Sequence, residues 1–202
     1  MNINKNKQNM ILSTYKKYKE KKLNGINIPL KLELKNVNAT TDVCMYYIIR
    51  FIFEEELGYT KNTIRNLKEE ELKQYKDVIN KSTLSFLRKV SLFKKVEIED
   101  IVNFIYPNTF TLEERVKKTY MYSYKNNTRL DCGIIYNNKD KAEQIFYYLL
   151  EVALETDGIK IADDEIIYKT ITINWLKEKK LRSHFNALYN NLGEMLRDQF
   201  YL

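Results

Sequence analysis

Apolar residues recur along this chain mostly at helical spacing, with short polar stretches between them. The strongest block, residues 38–57, carries Val43, Tyr46, Tyr47, Ile49 and Ile52 and predicts a central helix. Residues 139–156 predict a second helix of the same kind. Shorter helices are expected over 69–79, over 82–90 with Ser82 as cap, and over 97–105, where Pro107 stops the element. Thr111-Leu112-Glu113-Glu114 is a capping box that opens a helix into the basic, tyrosine-rich stretch 115–129. After Gly158 come helices from Asp163, over 175–180 and over 182–191, with Gly193 breaking the last piece. At the other end, Met10 to Leu23 reads as a basic helix closed by Asn24-Gly25, behind nine mobile residues. One stretch alternates instead. Ile26, Ile28, Leu30, Leu32 and Leu34 predict a short extended segment, which Pro29 confines to an edge.

The resulting fold class is all-α: two related helical units, a basic N-terminal arm and at most one short strand. Only 5 Gly and 2 Pro in 202 residues, with 44% hydrophobic residues, support a globular helical chain. The expected plan is an arm over 1–37, a helical unit over 38–125, a linker over 126–138 that holds Gly133 and paired asparagines, and a second unit over 139–202. The relation between the units rests on a gapless match of residues 46–54 to 147–155, with Gly58 and Gly158 following. Residues 105–110 then lie against 195–200. Two copies are too few for a solenoid.

The most informative run is residues 54–67, which reads as helix, glycine turn and second helix. Gly58 can take positive φ at the end of the first helix, and Thr60 can cap the second. Ile64 and Leu67 would face inward, leaving Lys61, Asn62, Arg65 and Asn66 outward. Arg and Asn pair bidentately with guanine and adenine in the major groove, so this is helix-turn-helix grammar. The same punctuation also builds ordinary αα corners, and Glu54 stands where DNA-binding versions place a small residue.

The order of an aromatic-rich helix, Thr60-Lys61-Asn62-Thr63-Ile64, a Leu- and Lys-rich helix pair, and Ile105-Tyr106-Pro107-Asn108-Thr109-Phe110 resembles an uncharacterised helical repeat. That family occurs in low-GC Gram-positive bacteria and their phages, and a Tyr-Pro-x-x-Phe signature closes each unit. The likeness covers residues 25–112. The family's Trp after the signature is absent here, and residues 195–200 lack Tyr-Pro. The resemblance implies modular helical architecture and assigns no functional residue.

Charge is concentrated. Residues 1–38 hold nine lysines and two glutamates, and the rest of the chain balances 25 basic against 25 acidic residues. Such a block is a footprint for nucleic acid, with Lys5, Lys7, Lys16 and Lys17 as candidate phosphate anchors. A solubilising tail is the alternative. Tyr120, Tyr122 and Tyr124 beside Lys117, Lys118 and Lys125 could stack bases, or pack.

Catalytic chemistry is poorly represented. Glu33-Leu34-Lys35 is half of a metal-dependent nuclease site, but no Asp precedes Asp42 to complete it. The lone His184 is expected at a surface or helix end. Cys44 and Cys132 lack metal-ligand spacing, Cys44 reads as a small buried hydrophobe, and no phosphate loop appears. No catalytic residue, metal or cofactor is expected. No long apolar run follows the first lysines, so neither leader nor membrane span is expected, which suits a cytoplasmic protein. Two functions remain. One is a non-enzymatic DNA-binding regulator or phage or mobile-element accessory protein using Lys61, Asn62, Arg65, Asn66 and the arm. The other is a helical protein-interaction module, such as a phage-type inhibitor or adaptor, using aromatic surface around Tyr120–Tyr124 or Trp175.

Overall fold

The computed structural model describes residues 3–89, 96–128, 130 and 139–201. Among these the fold is all-α, with eleven α-helices and no strand. Two compact units each enclose their own hydrophobic cluster, one ending at Phe110 and the other starting at Thr111.

The first unit begins with α1, Lys5–Leu23, whose N-cap Asn4 accepts a hydrogen bond from the Lys7 amide through Oδ1. Ile11, Tyr15 and Tyr18 share one face of α1 and are buried in the core of the unit. The expected arm over 1–37 is therefore corrected: its basic helix is a packed wall of the unit. The i, i+4, i+7 stripe drives the docking, each large apolar side chain contributing about 1.5–3 kcal/mol on burial. The expected extended segment is corrected too. Pro29 precedes a short helix α2, Leu30–Glu33, followed by a 3₁₀ turn over Leu34–Asn36. Leu30 and Leu34, four apart, are buried while Leu32 is exposed, so the alternation also fits a helical face.

Helix α3, Thr41–Phe51, is the central element; it buries Cys44, Met45, Tyr47, Ile48 and Ile49 and packs on α1. Its last turn widens to π geometry over Ile52–Glu56, the Leu57 amide donating to the Ile52 carbonyl at 2.9 Å. The helices expected over 69–79 and 82–90 shorten to α4, Glu69–Leu72, and to 3₁₀ turns over Lys73–Tyr75 and Leu87–Lys89. Asn80 competes with helix here. Its Oδ1 accepts from the Ser82 and Thr83 amides, and the Thr83 hydroxyl donates to the Val78 carbonyl. Helix α5, Ile98–Ile105, then ends before Pro107. Asn103 ties the closing segment with two hydrogen bonds of 2.8 Å to the Phe110 backbone.

The second unit contains α6 Leu112–Lys125, α7 Lys139–Thr156, α8 Asp164–Thr170, α9 Ile173–Glu178, α10 Arg182–Leu188 and α11 Leu192–Phe200. The capping box at Thr111 forms as expected: its hydroxyl accepts from the Glu114 amide, and Glu114 accepts from the Thr111 amide. Yet α6 belongs to this unit and not the first, because Val116 and Tyr120 lie in its core and Lys117 bonds Glu113, Glu151 and Glu155. The expected boundary at 125 thus moves back to 110, and of the linker only 126–128 and 130 fall among the described residues.

Burial repeats in the register read from the sequence. Ile48, Ile49, Ile52 and Phe53 of the first unit, and their partners Leu149, Leu150, Ala153 and Leu154, are all 0% exposed. Gly58 and Gly158 come next in each unit with positive φ, at 72° and 74°.

Candidate functional site: the basic face of the first unit

The corner at Gly58 forms, with a φ that a β-carbon would strain. No recognition helix leaves it. Residues 61–63 are a turn and Ile64–Asn66 a single 3₁₀ turn, after which Leu67 and Lys68 are extended. Thr60 does not cap in the expected way. The Thr63 hydroxyl instead accepts from the Thr60 amide at 2.9 Å, and the two hydroxyls meet at 3.2 Å. Two β-branched threonines and two asparagines, whose side chains compete for backbone hydrogen bonds, sit in too short a run to sustain an α-helix. Glu71 terminates it, accepting from the Lys68 amide and the Tyr59 hydroxyl, both at 2.8 Å. The bond from the Lys68 amide and that from Tyr59 hold the Glu71 carboxyl below its ordinary pKa.

The inward pair behaves as expected: Ile64 and Leu67 are buried, and Lys61, Asn62, Arg65 and Asn66 are exposed. Arg65 is nevertheless engaged by its own chain. Its guanidinium donates to the Thr109 carbonyl and lies over the Phe110 ring, 4.9 Å from the centroid. Groove reading by a helix over 61–67 is therefore corrected to an exposed turn, one of whose four polar side chains is clipped to the closing segment.

Beside this turn lies an open cleft of about 540 Å³ lined by Tyr46, Arg50, Glu54, Lys61 and Tyr106, among others. Its carboxylate is already satisfied: Glu54 Oε1 accepts from Arg50 Nε at 2.9 Å and from the Tyr106 hydroxyl at 2.6 Å. Burial first, then the bond to Glu54, pushes the Tyr106 phenol up.

The four lysine candidates all sit on α1. Lys5, Lys16 and Lys17 are exposed and Lys7 half-buried, and the first turn contains no acid. Three other lysines of the helix are paired: Lys19 with Glu56, Lys21 with Glu33 and Lys22 with Asp77. Among the described residues Lys5, Lys7 and Lys17 form no ion pair, and Lys16 lies 5.2 Å from the Phe51 ring centroid. Lys5 and Lys16, eleven residues apart, recur on one face about 16 Å apart along the axis. The partial positive charge of the helix N-terminus adds to Lys5 and Lys7.

Other candidates are displaced. Glu33 accepts both its bonds from Lys21. His184 lies at a helix end, in the first turn of α10, as one of the two expected placements has it, but is buried there. Cys44 is buried, which pushes its thiol up and away from reactivity, while Cys132 lies outside the described residues. Tyr120 is a core residue whose hydroxyl donates to the Lys179 carbonyl, and Trp175 is buried with its indole N–H on Asp157. Of the aromatic surface, Tyr122 stays 66% exposed and Tyr124 39%. Among the described residues no cluster of His, Cys, Asp and Glu could hold a metal ion, and no helix is long and apolar enough to cross a membrane.

Sequence reading missed the Arg65 clip, the Tyr15 and Lys19 bonds to Glu56 and the Tyr106–Glu54 pair, all of which join distant positions. The docking of α1, by contrast, was signalled by Ile11, Tyr15 and Tyr18. No family model, curated protein or solved structure matches the chain.

Proposed function

We propose that the protein is a non-enzymatic nucleic-acid-binding protein that grips the phosphate backbone with the outer face of α1. The observation that carries this is a docked helix with Lys5, Lys16 and Lys17 exposed and free of acidic partners among the described residues. A rigid cationic row meets a polyanion at lower ordering cost than a tail does. Lys61, Asn62 and Asn66 are exposed on the turn of the same unit and extend the polar surface, while Arg65 holds the turn in place. Binding of this kind is largely indifferent to sequence, so an accessory protein of a phage or mobile element suits it better than a base-reading regulator. The likeness of residues 25–112 to the phage-associated helical repeat fits that setting, and a cytoplasmic location belongs to the same proposal.

The test is duplex binding at a series of salt concentrations. Each phosphate contact contributes about 0.9 to the slope of log K against log salt. Lys5→Gln, Lys16→Gln and Lys17→Gln combined should therefore lower the slope by about 2.7 and weaken all sequences alike. An unchanged slope overturns the reading.

A second reading, a protein-interaction module, draws support from Tyr122 and Tyr168, exposed at 66% and 67% in the second unit. Exposed tyrosines are favoured anchors at protein interfaces.

A further inference from the structure

The cleft beside the turn at Lys61 has no part in a grip confined to phosphate. Its walls come from α3 and the π turn, from the corner after Gly58 and from the end of α5. Of the charged side chains lining it among the described residues, Arg50 and Lys61 are positive and Glu54 negative, so the lining is net basic. Its remaining wall is largely aromatic and proline surface: Tyr46 and Tyr59 are half-buried and Pro107 is exposed.

The charges are not equally committed. Arg50 and Glu54, four residues apart, neutralise each other, and Tyr106 occupies Glu54 further. Lys61 is exposed and has no ion pair among the described residues. Arg50 keeps donors in reserve: its Nε bonds Glu54 and its guanidinium reaches Tyr46, but it carries five N–H groups and its side chain is 46% exposed. An unpaired ammonium and spare guanidinium donors beside a carboxylate already taken suit one anion.

The rings are fixed in advance. Tyr46 meets Tyr47 and Phe104 edge to face at 5.2 and 5.7 Å, and Tyr59 is tied through its hydroxyl to Glu71 at 2.8 Å. Little ordering is left for a ligand to impose. A volume of about 540 Å³ falls within the common span of small-molecule clefts, about 300–1,000 Å³. A flat ring that packs on aromatic surface and is joined to an anion is the description of one nucleotide, its base and its phosphate.

The cationic row of α1 reaches the same part of the unit. Lys16 lies over Phe51, the residue after Arg50, at 5.2 Å from the ring centroid. A strand whose phosphates follow Lys5, Lys16 and Lys17 therefore passes the turn of α3 that carries Arg50. A duplex keeps its bases paired and stacked, whereas a single strand can turn one outward at little cost.

Resting on the phosphate-binding reading, we propose that the nucleic acid is single-stranded and that this cleft receives one of its bases. The base lies against Tyr46, Tyr59 and Pro107, and Lys61 with the remaining donors of Arg50 holds the adjoining phosphate.

Fluorescence anisotropy of the full chain with a labelled oligothymidylate tests this against an abasic strand of equal length, which offers the same phosphates and no base. Oligothymidylate should bind about tenfold tighter. Tyr46→Leu, which keeps an apolar side chain against Phe104, should erase that preference and leave duplex binding as it was. Lys61→Gln, on the exposed turn and clear of the core, should lower oligothymidylate affinity about threefold and leave the abasic strand unaffected; it decides the matter should Tyr46→Leu fail to fold. Lys5→Gln, Lys16→Gln and Lys17→Gln combined should weaken both strands alike and keep the preference, so the phosphate row and the cleft fail separately. Equal affinity for the two strands, or a Lys61→Gln protein that keeps the full preference, overturns the proposal. Thymidine monophosphate competing as well as the strand does overturns the strand as source.

Discussion

Replacing Arg65 with Ala separates two roles that the sequence alone leaves joined. The exposed intramolecular contacts of the side chain include a hydrogen bond to the Thr109 carbonyl and a cation–π contact with Phe110 at 4.9 Å. An exposed cation–π contact is worth about 0.5–1 kcal/mol. The hydrogen bond adds about 0.5–1 kcal/mol after competition with water. Arg65→Ala should thus cost the first unit about 1–2 kcal/mol. With a urea dependence of about 1–1.5 kcal/mol per molar for a unit of this size, the unfolding midpoint falls by about 1 M. Arg65→Lys keeps a cation over the ring but loses the planar fork, so about half of that loss should remain. Urea titration followed by circular dichroism gives the midpoint, and duplex binding at fixed salt gives the second readout. On this reasoning Arg65→Ala moves the midpoint and leaves duplex affinity within about twofold once the protein is folded. A midpoint that stays in place while affinity drops tenfold would refute it and restore Arg65 as a base reader.

The same geometry sets other outcomes. Burial and the bond to Glu56 push the Tyr75 phenol up to about 12, and burial pushes Tyr189 up to about 12, against about 10 for an unfolded tyrosine. A raised phenol favours the folded state fully below pH 10 and loses that contribution as pH rises towards 12, so phenolate absorbance should show a late fraction that titrates together with loss of helical circular dichroism. Gly58→Ala and Gly158→Ala should each cost about 1 kcal/mol in thermal melts, because the added Cβ meets nothing within 4 Å and only the positive φ opposes it. Ile48→Ala and Leu149→Ala should each cost about 2–5 kcal/mol, and hydrogen exchange should show the weakening confined to the unit that carries the substitution.

Local signals told most of the helical story. The capping box at Thr111, the stop at Pro107, the glycine corner at residue 58 and the doubled apolar helix are short-range patterns, and each appears where the residues place it. Where the reading went astray, a local signal had two meanings. Leu30, Leu32 and Leu34 alternate, yet two of them are also four apart, and tertiary packing chose the helical option. Thr60 looks like a cap, but its hydroxyl meets the Thr63 hydroxyl at 3.2 Å, and the Thr63 amide donates to the Thr60 carbonyl instead. In α1 the lysines dominate the composition, while the stripe of Ile11, Tyr15 and Tyr18 between them decides the packing. Of the candidate site, the exposure of Lys61, Asn62 and Asn66 was legible from periodicity. The clip on Arg65 was not, since a contact between residues 65 and 109 leaves no trace in the spacing of either segment.

The widened turn at Ile52–Glu56 constrains what mutation can do here. A π turn holds one residue more than the regular helix around it, so deleting a single residue would rewind the segment into ordinary α geometry. Each residue lost from a regular helix swings everything downstream by about 100° around the axis, but here the tighter winding makes up for the missing residue, so the glycine corner keeps its bearing. The same deletion within Thr41–Phe51 has no surplus to draw on and would turn all that follows out of register with α1. The widened turn is thus the point along this rod where the lineage can shed a residue without undocking α1.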